Sequence, residues 1–349
     1  MAVDPLGRLR ELLRAAVRRP AGKGPTGRRS SGRAVHGILI ASRDEASVRV
    51  AVTGPTGRLG RALLAAVQRT PGEVAAPGGG WTRADLDLDT VTSEGAARLL
   101  RRDRPDVVIH AAAWTDVDGC ARDPDLAYQR NAVAAGRLAT ACAERGVDLV
   151  LVSTNEVFDG HRTDGVGYGP DDPVGPINPY GQSKLEGEGL AAEAFERADK
   201  ARLAIVRTAW LFGPPGSDFP AKILAAAARA QSAHEPLRAV NDEIGSPTYT
   251  ADLAVAILAL LRSIDLEGVH HVVNADGGIS RAVWARAVLD LAAVDVAIDE
   301  VPASTWRRAS TPPRWGVLAP TALPGGPLRS WRAALAEHVP TLVEAAPVR

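Results

Sequence analysis

Sulfur, net charge and aromatic rings are all scarce in this chain. It has two cysteines, Cys120 and Cys142, and one methionine in 349 residues. Two thiols cannot make a disulfide framework, and neither has metal-ligand spacing, so a reducing, cytoplasmic setting is expected. No apolar run approaches the roughly 18 residues of a membrane span, so no membrane embedding is expected. Lys and Arg total 41 against 41 Asp and Glu, for a formal charge of +0. That balance gives no electrostatic reason to expect nucleic acid as a partner. What the chain has is 46% apolar residues, enough for one large domain or a core with a smaller companion.

The first residues differ from the rest. Nine basic residues between Met1 and His36 face only Asp4 and Glu11, and "RRPAGKGPTGRRSSGR" is rich in Gly, Pro and Ser. Such a segment buries little, so residues 1–46 read as a basic, disordered extension. Leu6 to Val17 fits a short amphipathic helix. A membrane-surface or nucleic-acid arm, a transit peptide, a solvated tail and an upstream extension from a misplaced start all fit this composition. A secretory signal does not, for want of an apolar core segment.

From Val48 the text becomes regular. "VRVAVT" is a short run of β-formers, as a buried parallel strand requires. Gly54-Pro55-Thr56-Gly57-Arg58-Leu59-Gly60 follows, then a helix with Leu59, Leu63, Leu64 and Val67 on one face. Glycines at this spacing let the chain turn sharply and let a pyrophosphate approach free N–H groups at the helix start. Gly54 and Thr56 therefore join the candidate cofactor residues. A second strand is expected at Glu73 to Ala76. No acidic residue ends it to accept a ribose hydroxyl, so NADPH is not electrostatically disfavoured against NADH, and Arg83 is a candidate for a 2′-phosphate.

The α/β rhythm continues. Strand Val107–His110 ends in Ala111, Ala112 and Ala113, whose small size lets a cofactor lie against the backbone. A helix from Leu126 to Arg145 carries Asn131, expected at the surface, and strand Leu149–Val152 delivers Ser153 and Thr154. The alternation predicts an α/β, Rossmann-type doubly wound parallel sheet, with ligands beyond the strands' carboxyl ends. The expected division is a cofactor-binding core at 47–212 and a mainly substrate-binding part at 213–349, some of whose elements return to the core. In "NPYGQSKLEGE", Tyr180 and Lys184 share one helical face. An ammonium beside a phenol is expected to lower its pKa from about 10, making Tyr180 a general acid for a ketone. Thr154 would hold the carbonyl oxygen, and Lys184 would also bond the nicotinamide ribose.

In this order and spacing, "VTGPTGRLG", "RPDVVIHAAAWTDVDGC", "LVSTNEVFDG", "NPYGQSKLEGE", "VRTAWLFG", "VNDEIGSPTYTADLA" and "GVHHVVNADGGISR" resemble the dTDP-4-dehydrorhamnose reductase family, of the extended short-chain dehydrogenases/reductases. The resemblance implies NAD(P)H-dependent reduction of the 4-keto group of a nucleotide-linked 4-keto-6-deoxy sugar, dTDP being the expected nucleotide, in a chain that can form a homodimer. It implies cofactor contacts at Gly57, Arg58, Leu59, Asp87, Leu88, Ala113, Trp114, Thr115, Tyr180 and Lys184, and substrate contacts at Thr154, Asn155 and Trp210. Some members are associated with magnesium, but no ligand set in the sequence supports a metal. One departure stands out: the family's Ser-Thr-Asp-Tyr-Val-Phe is here Ser153-Thr154-Asn155-Glu156-Val157-Phe158, which bears on substrate and product stereochemistry.

In the second half, Gly245-Ser246-Pro247-Thr248 resembles the family's substrate-side loop, with Thr250 an expected helix cap. Trp306, Arg307, Arg308, Arg314 and Trp315 cluster in "STWRRASTPPRWG"; Arg pairs suit a diphosphate and Trp suits a base, while a solvated basic surface fits equally. Of His270 and His271 in a strand pattern, one is expected to face the core and one not. A last helix is expected at Leu328–His338. Two other readings remain at this point. One is an epimerase or dehydratase of the same superfamily, for which Asn155-Glu156 supplies half of a carboxylate pair. The other is a non-catalytic NADP-binding regulatory subunit, similar to the partner of methionine adenosyltransferase.

Overall fold

The computed structural model describes residues 47–264 and 266–345; the basic extension, with its Leu6–Val17 helix, lies outside them. In chain order the first half contains β1 (Val48–Thr53), α1 (Arg58–Gln68), β2 (Val74–Ala75), α2 (Ser93–Asp103), β3 (Val107–His110), α3 (Val117–Arg122), α4 (Pro124–Tyr128), α5 (Ala134–Arg145), β4 (Asp148–Thr154), α6 (Pro179–Phe195) and β5 (Leu203–Thr208). The second half contains β6 (Leu211–Phe212), α7 (Phe219–Ala233), β7 (Leu237–Val240), β8 (Ile244–Gly245), β9 (Thr248–Tyr249), α8 (Thr250–Leu261), β10 (Gly268–His271), β11 (Ile279–Ser280), α9 (Arg281–Leu291), β12 (Ile298–Val301), β13 (Trp315–Gly316) and α10 (Trp331–Glu344).

Six strands form one parallel sheet in the order β10-β5-β4-β3-β1-β2. The period of two divides its residues between two cores. Ala51, Val108, Leu149, Leu151, Leu203 and Ile205 face α2, α5 and α6, while Val50, Val52, Ile109, Val150, Ala204 and Val206 face α1 and α8. Both faces are covered, which is why the central strands carry apolar residues toward both sides. The chain leaves β1 toward β2 on one side and continues to β3 on the other. That reversal opens a crevice at the strands' carboxyl ends.

Two-sided burial corrects the expectation for the histidines: His270 and His271 are both buried, on opposite faces of β10. His270 Nε2 pairs with the Leu266 carbonyl, and His271 Nδ1 with that of Tyr168. Other departures are local. The second strand is two residues rather than four. The expected Leu126–Arg145 helix is interrupted by a π turn at Gln129–Val133. Thr250 is the first residue of α8, and Tyr249 stands at the cap. The last helix starts at Trp331 and runs through Pro340 to Glu344; its apolar face, with Leu335 and Val339, is packed in a third core around Trp284, and that packing outweighs the lost backbone hydrogen bond.

Two consecutive motif segments are pinned together by one buried ion pair. The Arg207 guanidinium of β5 donates to both carboxylate oxygens of Glu188 on α6, at 3.0 and 2.7 Å. It also lies 5.3 Å from the centre of the Phe158 ring.

Candidate active site

The glycine turn leaves β1 through Gly54, whose φ of +65° is left-handed and suits a residue without Cβ. A Cβ on Gly60 would fall on the Gly54 carbonyl oxygen, so α1 begins pressed against the turn. Gly57 occupies the N-cap with no side-chain cap bond. The first N–H groups of α1 therefore remain available to an anion. Thr53 Oγ1 accepts from the Ala112 N–H at 3.0 Å, which ties the end of β1 to the alanine run after β3.

Two adjoining clefts share Gly54, Gly57, Ala111 and Ala113. One, of about 430 Å³, also takes in Arg58, Leu59, Thr115, Thr154, Asn155, Tyr180, Lys184 and Trp210. The other, of about 310 Å³, takes in Thr56, Asp87, Leu88, Ala112 and Trp114. The glycine-turn and alanine-run residues, and every cofactor or substrate contact implied at Gly57 to Trp210 by the family resemblance, thus line one of the two. Arg83 also lines the second, where its guanidinium pairs with Asp87 at 3.4 Å and Asp89 at 3.0 Å. Arg58 is held from outside the turn: its guanidinium donates to the carbonyls of Gly213 and Ser217.

Asn178 caps α6, its Oδ1 accepting from the Gly181 N–H at 2.8 Å, and Pro179 opens the helix, so Tyr180 falls in the first turn. The phenol and the Thr154 hydroxyl line the same cleft. The expected lowering by Lys184 is not what the structure shows. Burial pushes the phenol up, the Glu156 carboxylate adds to this, and the Thr154 hydroxyl opposes it. The Lys184 ammonium instead donates to the Val152 carbonyl at 2.8 Å, and burial draws it down to about 8 against the raising effect of Glu188. The phenol is thus held protonated in this environment, so the proton that a general acid must give is present.

Several neighbours escaped the sequence reading. Asn131 is buried, not superficial. It accepts from the Trp114 N–H at 2.8 Å and donates to the Trp114 carbonyl and to Ser183 Oγ at 3.0 and 3.1 Å. The π turn that displaces it is a frequent device near functional sites. Trp210, at φ +42°, packs its ring against Gly245 and parallel to Trp284 at 5.7 Å. Arg281, the last residue of "GGISR", covers it. The signal available for Arg281 was only its place at a helix start after a Gly pair.

The basic-aromatic cluster divides. Trp306, Arg307 and Arg308 line a third cleft of about 480 Å³, joined to the first through Arg281 and also carrying Lys222, Arg238 and Glu243. Arg314 and Trp315 lie elsewhere, near Asp242 and the Val166 carbonyl. Among the described residues, no three His, Cys, Asp or Glu side chains are grouped to hold a metal.

The profile of the RmlD substrate binding domain family matches residues 48–343. The chain belongs to that family. It is 37% identical over 297 residues to dTDP-4-dehydrorhamnose reductase of Mycobacterium tuberculosis (strain ATCC 25618 / H37Rv), covering 83% of this chain and 92% of the relative. To the Streptomyces niveus dTDP-4-keto-6-deoxy-D-glucose reductase it is 34% identical, covering 83% and 96%. Among solved structures, dTDP-4-dehydrorhamnose reductase of Bacillus anthracis str. Ames in complex with NADP superposes with a TM-score of 0.73 at 31% identity, covering 84% of this chain and 99% of that one. The sequence expectations of family and of a Rossmann-type fold hold. Asn155, where the sequence resemblance leads one to expect Asp, donates its amide to the Gly316 carbonyl at 3.1 Å.

Among the described residues no helix is long and apolar enough to cross a membrane.

Proposed function

We propose that this protein reduces the 4-keto group of a dTDP-linked 4-keto-6-deoxy sugar with NADPH or NADH. The observation that carries the reading is that Thr154, Tyr180 and Lys184 line one cleft, which runs from the glycine turn to Trp210. The names of the relatives support the sugar, and the free helix start at Gly57 supports a dinucleotide.

The bound nicotinamide supplies the hydride. The N–H groups of α1 hold the pyrophosphate, and the Ala111–Ala113 run and Asp87-Leu88 accept the adenosine side. Arg83, which lines the second cleft, is the residue that would hold a 2′-phosphate of NADPH, and Asp87 and Asp89 share its charge. Thr154 and Tyr180 hydroxyls hold the ketone oxygen, and Tyr180 gives its proton to the forming alkoxide. Lys184, fixed by the Val152 carbonyl, presents its remaining N–H donors to the ribose. Trp210, lining the same cleft beneath Arg281, is the aromatic contact for the sugar. We assign the nucleoside diphosphate to the third cleft, where Arg307, Arg308, Arg238 and Lys222 suit phosphates and Trp306, 46% exposed, suits a base. Two buried free thiols fit a reducing, cytoplasmic setting.

The test is NADPH and NADH consumption with a dTDP-4-keto-6-deoxy sugar, wild type beside Tyr180→Phe. Turnover should fall by about 10²–10⁴ while cofactor binding persists. Unchanged turnover removes Tyr180 from the mechanism, and binding of NADPH without oxidation by any such sugar returns the regulatory-subunit reading.

A further inference from the structure

Reduction as just described uses the two hydroxyls and leaves a carboxylate in the same cleft without a task. Glu156 lies in the short 3-10 turn after β4 and lines the cleft beside Thr154 and Tyr180. Its backbone N–H donates to Thr154 Oγ1 at 3.2 Å, so the turn is tied to the residue that would hold the ketone. Its Oε2 accepts from Asn178 Nδ2 at 2.7 Å, and Asn178 is oriented by its own capping of α6. The carboxylate is thereby held rigidly beside the helix turn that carries Tyr180. Its charge acts directly on the Tyr180 phenol, and burial raises its own proton affinity against Asn178, Arg281 and Arg308.

We propose that Glu156 gives this cleft a second activity: removal and return of a proton on the carbon next to the substrate ketone. The inference rests on the preceding reading that a keto sugar occupies the cleft. The Glu156 carboxylate takes the proton. The C–H electron pair becomes the C=C bond of an enol, the carbonyl π pair moves to oxygen, and that oxygen takes the Tyr180 proton. Reversal restores the ketone, and no oxidant or reductant is needed. An elimination would need a further acid for the leaving hydroxyl. The neighbouring side chain, Asn155, is an amide already committed to the Gly316 carbonyl, so proton exchange rather than dehydration is the chemistry this set supports.

The experiment incubates the NADP⁺-bound full chain with a dTDP-4-keto-6-deoxy sugar in D₂O and follows deuterium in the recovered sugar by mass spectrometry. NADPH oxidation with the same sugar is measured in parallel. Wild type should incorporate deuterium at least about tenfold faster than the enzyme-free control. In Glu156→Gln that rate should fall about a hundredfold or to background, with the ratio of exchange to NADPH oxidation falling at least about tenfold. NADPH oxidation by wild type without exchange overturns this inference and leaves the reductase reading standing. Exchange undiminished in Glu156→Gln also overturns it. Neither oxidation nor exchange overturns both for that sugar. Should Glu156→Gln not bind NADP⁺, Glu156→Ala with added formate replaces it: formate-dependent recovery supports the assignment, and undiminished exchange without formate overturns it.

Discussion

The Arg281 guanidinium lies 3.5 Å from the centre of the Trp210 ring, joining the first residue of α9 to the residue just before β6 at the cleft. Arg281 is also 3.8 Å from Glu243 and shares Glu243 with Arg308 at 3.6 Å. Burial draws its pKa down to about 10, with Glu243 and Glu156 opposing. The stacked cation thus fixes the platform on which a sugar would rest and joins that platform to the third cleft.

Removing the stack should loosen substrate more than chemistry. A desolvated cation–π contact contributes up to about 2 kcal/mol, so Arg281→Ala should raise KM for the nucleotide sugar about ten- to thirtyfold with a smaller change in kcat. Arg281→Lys should recover only part, because an ammonium cannot lie flat on the ring. Steady-state kinetics decide this, and a KM within about twofold of wild type refutes the platform role.

The glycine turn admits no side chain at position 60. In Gly60→Ala the new methyl meets the Gly54 carbonyl oxygen and lies 2.8 Å from the Pro55 Cα, so β1 and α1 must move apart. The Kd for NADPH, read by fluorescence titration, should rise at least about tenfold, since the helix start no longer meets the pyrophosphate. Wild-type affinity in this variant would show that the turn is not where the cofactor is held.

Breaking the Arg207–Glu188 pair should be costly. Both side chains are at most 1% exposed, and Glu188→Ala leaves a guanidinium unpaired in the interior. Urea unfolding should show a loss of about 3–5 kcal/mol. Replacing both partners with Met should return much of it, because the remaining charge is then gone. A single-variant loss below about 1 kcal/mol would mean that water reaches the site.

Acid should weaken the native state through two histidines. Burial holds His110 and His271 near about 3, below the ordinary 6.5. Between those values the unfolded chain binds protons that the native chain refuses, so stability rises with pH across this window and is lost as pH falls through it. From pH 7 to pH 5 the loss is about 2 kcal/mol per histidine, measurable as a lower urea midpoint. His271→Gln should flatten the dependence, and an unchanged slope would assign it to other groups.

Much of this protein was legible in its sequence because the relevant physics is local. A strand, a turn of glycines and a helix start are adjacent in the chain, so "VTGPTGRLG" announces an anion site. Tyr180 and Lys184 are one helical turn apart, so their shared face follows from the helix itself. The order of such segments placed the chain in its family. The tertiary structure decided what depends on charges and rings brought together from afar. It took the Lys184 ammonium to the Val152 carbonyl and set Glu156 against Tyr180, reversing the expected effect on the phenol. It buried His270 and His271 together by covering both faces of the sheet. It drew Asn131 inside to clamp Trp114, and laid Arg281 over Trp210. Spacing along the chain reports which residues share a face. The dielectric and the partners that a residue meets are set only when distant segments pack.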